Sequence, residues 1–167
     1  MKSIALIGLM GSGKTTIGGL LAQKLGLIFV DIDEKIEQKE KTSITEIFET
    51  KGEEYFRQVE SELLQDYAKL QGLVISTGGG AVQKEKNLQT LKSNCTIIYL
   101  KASPKELFNR IKDDTTRPLL KTPNPLSTLD ELLQKREKNY LMADIIIDTE
   151  AKTTEQILDE IIKNVKS

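Results

Sequence analysis

The stretch ALIGLMGSGKTTIGGLLAQKLG, residues 5–26, places glycines on both sides of one lysine, between an apolar run and a segment of helical period. Within it, Gly8–Thr15 matches G-x-x-x-x-G-K-[ST] at every fixed position. Glycines let successive N–H groups turn toward one anion, and the following helix N-terminus adds partial positive charge. The stretch therefore predicts a phosphate-binding loop between a strand and a helix. The predicted nucleotide contacts are Gly11, Ser12, Gly13, Lys14, Thr15 and Thr16.

Short apolar runs alternate with helical segments along the whole chain. Strands are predicted at 3–8, 27–33, 73–77, 96–100 and 144–148. Helices are predicted at 14–25, within 34–70, at 84–92, 104–112 and 129–142, and from residue 154. Near-continuous apolar strands are typical of a parallel sheet covered on both faces, and the alternation indicates right-handed crossovers. We expect one α/β domain over residues 1–167, without repeats or linkers.

Composition excludes several classes of function. The net charge of −1 provides no basic field for nucleic acid, and no apolar run approaches the length of a membrane span. With no signal-peptide pattern and a single cysteine, Cys95, we expect a cytosolic protein, and the lack of heptads favours a monomer. The absence of histidine excludes imidazole zinc sites and Ser-His-Asp triads, so acid–base chemistry falls to carboxylates, lysine or tyrosine.

Missing motifs narrow the class of nucleotide protein. The chain contains neither the D-x-x-G nor the N-K-x-D signature of GTPases, and it lacks protein-kinase signatures. The third predicted strand runs into STGGG rather than the acidic end typical of motor ATPases. A small-molecule kinase fits best, with Lys14 on the β- and γ-phosphates and the Thr15 hydroxyl on Mg²⁺.

Candidates for the acceptor side follow the second and third predicted strands. Asp31 and Asp33 are expected on the same side of a strand, one near the metal and Asp33 positioning or deprotonating a hydroxyl. Alternatively, this pair caps the next helix. Gly78–Gly80 can bring backbone N–H donors close to a ligand, or can form no more than a tight turn.

Arginines supply the remaining candidates. Glu60 lies three residues after Arg57 on a helical face and can brace it for bidentate capture of a carboxylate; the alternative is a surface ion pair. Asp113–Thr128 holds three of the four prolines and is predicted to be a surface loop that can act as a lid, where Arg117 could reach the transferring phosphate. Arg136 and Tyr140, four apart, form a weak pattern alone.

The order of these motifs resembles the shikimate kinase family over essentially the whole chain. The series is the phosphate loop, DID, FRQVE, STGGGAV, RPLL and a late R-x-x-x-Y. The resemblance implies a five-stranded parallel sheet in the order 2-3-1-4-5 with a lid, and phosphorylation of the 3-hydroxyl of shikimate by ATP with Mg²⁺.

The resemblance also implies a role for each matching residue. Asp33 would contact the shikimate hydroxyls and act as the base, while Arg57, oriented by Glu60, and Arg136 would bind the carboxylate. The remaining implied contacts are Gly78, Gly79 and Gly80 lining the acceptor pocket, Lys14 and Arg117 on the phosphates, Arg117 also on the acceptor, Arg110 beside the adenine, Thr15 on the metal and Asp31 near it through water.

One departure and two other functions stay open. In YLMAD only two residues separate Tyr140 from the Ala-Asp pair, where the family usually has three, and a shifted register would put Lys135 in place of Arg136. The spacing to Tyr140 favours Arg136. The other functions are a kinase for another polyol acid, such as gluconate, or for a nucleotide, and a nucleotide sensor without transfer activity.

Overall fold

The structure is a computed structural model that describes residues 1–114 and 121–167. Its strands are β1 (Ser3–Ile7), β2 (Ile28–Asp31), β3 (Leu73–Ser76), β4 (Cys95–Lys101) and β5 (Ile145–Asp148). Its α-helices are α1 (Lys14–Leu25), α2 (Ile32–Glu40), α3 (Ile44–Ala68), α4 (Glu85–Asn94), α5 (Pro104–Ile111), α6 (Pro125–Tyr140) and α7 (Thr154–Lys166). A short 3₁₀ turn, Ala81–Gln83, precedes α4.

The strands form one parallel sheet in the order β2-β3-β1-β4-β5, which confirms the predicted fold class. Central strand β1 pairs Ala5 with Ile75 of β3 and with Ile97 of β4. From the adjacent strands β1 and β3 the chain continues into helices on opposite faces of the sheet. Such a switch point leaves a crevice at the carboxyl ends of the strands, where open α/β sheets bind their ligands.

Two apolar cores cover the two faces of this sheet. Ala5 and Ile7 of β1 belong to the core shared with α2–α6, while Ile4 and Leu6 belong to the core under α1 and α7. The alternation follows from the two-residue period of a strand. A sheet buried on both faces explains why its strands read as continuous apolar runs.

The end of the second strand differs from the prediction. We expected a strand over 27–33, but β2 ends at Asp31, whose carboxylate accepts a hydrogen bond from the Glu34 N–H at 3.3 Å and caps α2. A side chain that satisfies the free N–H groups of a helix start favours the helix at this point. Asp33 therefore lies in the first turn of α2, and the prediction that both aspartates share a strand face is wrong.

Two helical segments also have bounds that differ from the predicted ones. The charged stretch 34–70 forms two helices, and the second of these, α3, is kinked at Gly52 (φ 86°, ψ 168°). Helix α6 begins at Pro125 rather than Leu129, because Asn124 caps it through the Ser127 N–H and proline is favoured in a first turn. Residues 125–128, predicted as loop, are therefore helical.

Arg117, the predicted lid arginine, lies outside the described residues. None of the described helices is long and apolar enough to cross a bilayer.

Candidate active site

The loop after β1 has the geometry of a phosphate cradle. Gly8 has φ 148°, and a Cβ there would lie 2.7 Å from the Leu100 carbonyl oxygen of β4, so a larger residue would clash. Helix α1 begins at Lys14, whose Nζ donates to the carbonyl oxygens of Gly8 at 2.6 Å and Leu9 at 3.1 Å. The ammonium group is thereby held within the loop at the helix N-terminus, an arrangement suited to anion binding.

Two oxygen-bearing side chains, the predicted metal ligands, lie beside this loop. The Thr15 hydroxyl donates to Asp31 Oδ2 at 3.0 Å, and both residues line the same cleft of about 340 Å³ as Lys14. Within the described residues, no group of three or more His, Cys, Asp or Glu could hold a metal ion by itself. Mg²⁺ is usually held by one or two protein oxygens together with water and substrate phosphates, so Thr15 and Asp31 fit such an ion.

Asp33 carries a perturbed carboxylate in the same cleft. Burial raises its pKa from 3.8 to about 6; Asp31 and Glu60 add to this effect, and Lys14 and Arg57 oppose it. Its buried Oδ1 has no hydrogen-bond partner among the described residues. A buried acceptor without a partner costs free energy, so this oxygen is suited to receive a donor from a bound molecule.

The Arg57–Glu60 pair joins a partly exposed guanidinium to a buried carboxylate. Arg57 Nη1 donates to Glu60 Oε1 at 2.8 Å, and the Glu60 side chain is only 1% exposed. Burial raises the Glu60 pKa, and the charge of Arg57 opposes the shift. The interpretation as an ordinary surface ion pair is therefore wrong. Arg57 is held by a buried carboxylate and faces a second cleft of about 310 Å³, which Arg136 also lines.

The glycine triplet separates the two clefts. Gly78 and Gly79 line the cleft of the phosphate loop, while Gly80 lines the cleft of the arginines. A Cβ would lie 2.7 Å from Glu60 Oε2 at Gly78 and 2.6 Å from Arg57 Nη2 at Gly80. The triplet is thus more than a tight turn, because charged groups approach its backbone closely.

Arg136 is placed against the triplet. Its Nη1 would lie 3.2 Å from a Cβ at Gly79. Lys135 is exposed and does not line the cleft. Of the two candidates, Arg136 lines the cleft of Arg57 and Lys135 does not, while the contact of Arg136 with a substrate carboxylate stays a prediction.

Arg110 connects the phosphate loop to the end of β5. It forms an ion pair with Glu106 at 3.1 Å and donates to Gly11 O at 3.2 Å and to Thr149 Oγ1 at 3.1 Å. It also lines a third cleft, on the α7 side of the loop, together with residues 151–154. Its predicted place beside the adenine stays a prediction.

Comparison with known proteins gives a consistent result. The shikimate kinase family model matches residues 10–166. The chain is 47% identical to the shikimate kinase of Thermodesulfovibrio yellowstonii, covering 98% of this chain and 94% of that one, and 45% identical to that of Persephonella marina, covering 99% and 100%. The chain belongs to the shikimate kinase family. It is therefore an ATP-dependent kinase.

A solved structure supports the same assignment. The shikimate kinase of Acinetobacter baumannii in complex with shikimate aligns with a TM-score of 0.95 at 35% identity, covering 99% of this chain and 93% of that one. The resemblance drawn from the motifs is thus confirmed, as is the fold.

The structure brings most of the predicted site residues of this shikimate kinase family member into one region. The first cleft contains Lys14, Thr15, Thr16, Asp31, Asp33, Gly78 and Gly79, and the second contains Arg57, Glu60, Gly80 and Arg136. Sequence reasoning did not identify Asn87 and Asn139, whose side chains donate to loop carbonyls. No local signal could identify Asn139, because its partner Val82 is 57 residues away.

Proposed function

We propose that the protein transfers the γ-phosphate of ATP to the 3-hydroxyl of shikimate, giving shikimate 3-phosphate and ADP. One observation carries the proposal: Asp33 Oδ1, which has no hydrogen-bond partner within residues 1–114 and 121–167, and the Arg57–Glu60 pair flank the same glycine. A Cβ at Gly78 would lie 3.2 Å from Asp33 Oδ1 and 2.7 Å from Glu60 Oε2. Asp33, which can accept a hydrogen bond from a hydroxyl, and Arg57, which can bind a carboxylate, are therefore close together beside the phosphate loop. This arrangement suits a small acid that carries hydroxyls.

The acceptor would be bound at both of its ends. Arg57, oriented by Glu60, and Arg136 would hold the carboxylate, since a guanidinium recognises it with paired hydrogen bonds. Gly79 and Gly80 would offer backbone N–H groups, while Asp33 Oδ1 would accept a hydrogen bond from the reacting hydroxyl. Holding both ends fixes the hydroxyl oxygen against the γ-phosphate and removes much of the entropic cost of the reaction.

Asp33 would act as the base. With a pKa of about 6, it is mostly ionised at neutral pH and can still accept a proton. As the new P–O bond forms, the hydroxyl proton passes to Asp33, and the bond between the γ-phosphorus and the bridging oxygen breaks to release ADP. Lys14 and Arg117 would offset the charge on the transferring group, which is the main requirement of phosphoryl transfer.

The nucleotide side would use the phosphate loop and its neighbours. Gly11, Ser12, Gly13, Lys14, Thr15 and Thr16 would bind the phosphates, and Arg110 would lie beside the adenine. Thr15 would hold Mg²⁺ directly and Asp31 through water, as their 3.0 Å contact supports. When bound, the ion supplies positive charge to the phosphate oxygens.

The test is an assay of ADP release with ATP, Mg²⁺ and shikimate, with the phosphate ester identified by NMR. We expect turnover only with shikimate, and gluconate and deoxynucleosides serve as control acceptors. Turnover that never exceeds the acceptor-free background would refute the proposal. Binding of ATP without transfer to any acceptor would instead support a nucleotide sensor.

We further propose that residues 1–167 act as one kinase domain, with a helical acceptor segment at about 34–70 and a lid at about 113–128, and that the protein works as a cytoplasmic monomer. Light scattering would test this state: a mass of about 18.7 kDa is expected, and a stable dimer would contradict it.

A further inference from the structure

The loop from Gly78 to Val82, here called the acceptor loop, has a hydrogen bond on every carbonyl group. Two of these bonds close backbone turns: Ala81 N–H donates to Gly78 O at 3.1 Å, and Gln83 N–H donates to Gly80 O at 3.2 Å. Such turns fix the local path of the backbone. They leave the carbonyls of Gly79, Ala81 and Val82 to be satisfied from elsewhere.

Side chains from two helices hold those three carbonyls. The Tyr140 hydroxyl donates to Gly79 O, and the neighbouring Asn139 amide donates to Val82 O at 3.0 Å. Asn87 of α4 donates to Ala81 O at 2.9 Å. Helix α6 therefore binds the acceptor loop at two points, one of which lies within the glycine triplet itself.

The bond to Gly79 O also determines where an N–H group points. In a trans peptide the C=O and the following N–H point in opposite directions, and the described residues contain no cis peptide bond. Holding the Gly79 carbonyl toward Tyr140 thus turns the Gly80 N–H away from α6. Across residues 1–114 and 121–167, neither Gly79 nor Gly80 donates a hydrogen bond through its N–H.

Tyr140 is a rigid support for this bond. Its side chain is fully buried, and its ring stacks on Tyr99 of β4 with centroids 5.0 Å apart. Burial raises its pKa to about 12, although the charge of Arg136 acts in the opposite direction, so the hydroxyl keeps its proton at neutral pH. A buried ring anchored to a central part of the sheet loses little freedom when it holds the loop.

We propose that Tyr140 is a positioning residue for the acceptor: its hydroxyl orients the Gly79–Gly80 peptide so that the Gly80 N–H is presented to the bound acid. Tyr140 does not touch the acceptor: it acts through the loop, whose Gly79 carbonyl it holds, and its hydroxyl also forms a hydrogen bond with the Arg136 guanidinium. This role rests on the proposed function and adds to it a residue on α6 that controls acceptor affinity separately from nucleotide affinity.

The test is Tyr140→Phe, which keeps the ring and removes only the hydroxyl. We expect the KM for shikimate to rise about tenfold, which is the loss of affinity expected for one hydrogen bond. The KM for ATP and kcat should stay within about twofold. Tyr99→Phe is the matched control. It removes the hydroxyl of the stacked ring, which makes no hydrogen bond to the acceptor loop, and should leave both KM values unchanged.

A purely structural role would lead to a different result. Equal increases in both KM values, or the same rise in Tyr99→Phe, would overturn the proposal, as would an unchanged shikimate KM in Tyr140→Phe. Calorimetric binding of shikimate to the same variants checks the affinity without turnover. If the wild-type protein phosphorylates shikimate and Tyr140→Phe binds it unchanged, only this inference fails. A wild-type protein that neither binds nor phosphorylates shikimate refutes the proposed function, and this inference with it.

Discussion

Asp33→Asn should stabilise the folded protein at neutral pH while removing most of its activity. Burial raises the pKa of this carboxylate from 3.8 to about 6, and nearby Asp31 and Glu60 add to the shift. A shift of about two units corresponds to about 3 kcal/mol in the free energy of unfolding. Because Asp33 keeps some contact with solvent, we expect a gain of about 1–2 kcal/mol on replacing it with the neutral amide.

The sign of the pH dependence follows from proton binding. Between about pH 4 and pH 6 the folded protein keeps a proton on Asp33 that the unfolded chain has already released. The stability of the wild-type protein relative to Asp33→Asn should therefore fall as the pH rises through this window. The deficit should be complete above about pH 7.

Urea denaturation of both proteins across this pH range measures the difference. Asp66→Asn, which changes an exposed carboxylate of α3, controls for the replacement itself. A difference between wild type and Asp33→Asn that is flat with pH, or that grows in favour of wild type as the pH rises, would refute the reasoning. In the activity assay we expect kcat of the variant to fall about 10²- to 10⁴-fold, the usual range for a general base. The kcat/KM of the wild type should decline below about pH 6.

Three further substitutions test other parts of the structure. Arg57→Ala should raise the KM for shikimate at least tenfold and leave ATP affinity intact by calorimetry; equal losses of both affinities would contradict its role. Gly80→Ala should displace the Arg57 guanidinium, since the new Cβ would lie 2.6 Å from Nη2, and an unchanged shikimate KM would argue against this contact. Gly18→Ala should lower stability by about 1–3 kcal/mol in thermal unfolding, because its Cβ would lie 2.5 Å from the Phe29 ring, whereas Gly19→Ala, with open space, should not.

The sequence predicted the elements better than their ends. All five strands were recognised, because a sheet buried on both faces needs apolar runs that are visible in a short window. The end of β2 was placed two residues late, since Asp31 can extend a strand or cap a helix and only the Glu34 contact decides between them. The start of α6 was missed because its cap, Asn124, lies in a proline-rich segment that has no helical period.

For the candidate site, the pattern of residue types identified the groups but not their environments. The three-residue spacing of Arg57 and Glu60 predicted the pair, while the burial of Glu60 arises from the packing of α3 against the acceptor loop. The contact of Tyr140 with Gly79 joins residues 61 apart. No local pattern contains such a contact, because it exists only once α6 packs beside the loop.

By itself the sequence determined the phosphate loop, since Gly8–Thr15 is contiguous and its bonds, such as Lys14 to Gly8 O, span only a few residues. Only tertiary structure decided how the groups of the acceptor side are arranged. Asp33, Arg57, the glycine triplet and Arg136 come from four separate segments. Asp33 and the triplet meet because they follow the paired strands β2 and β3, and α3 and α6 bring the two arginines against the triplet. The same packing buries Asp33 among other carboxylates, and that burial, rather than the residue type, gives the group a pKa near neutrality.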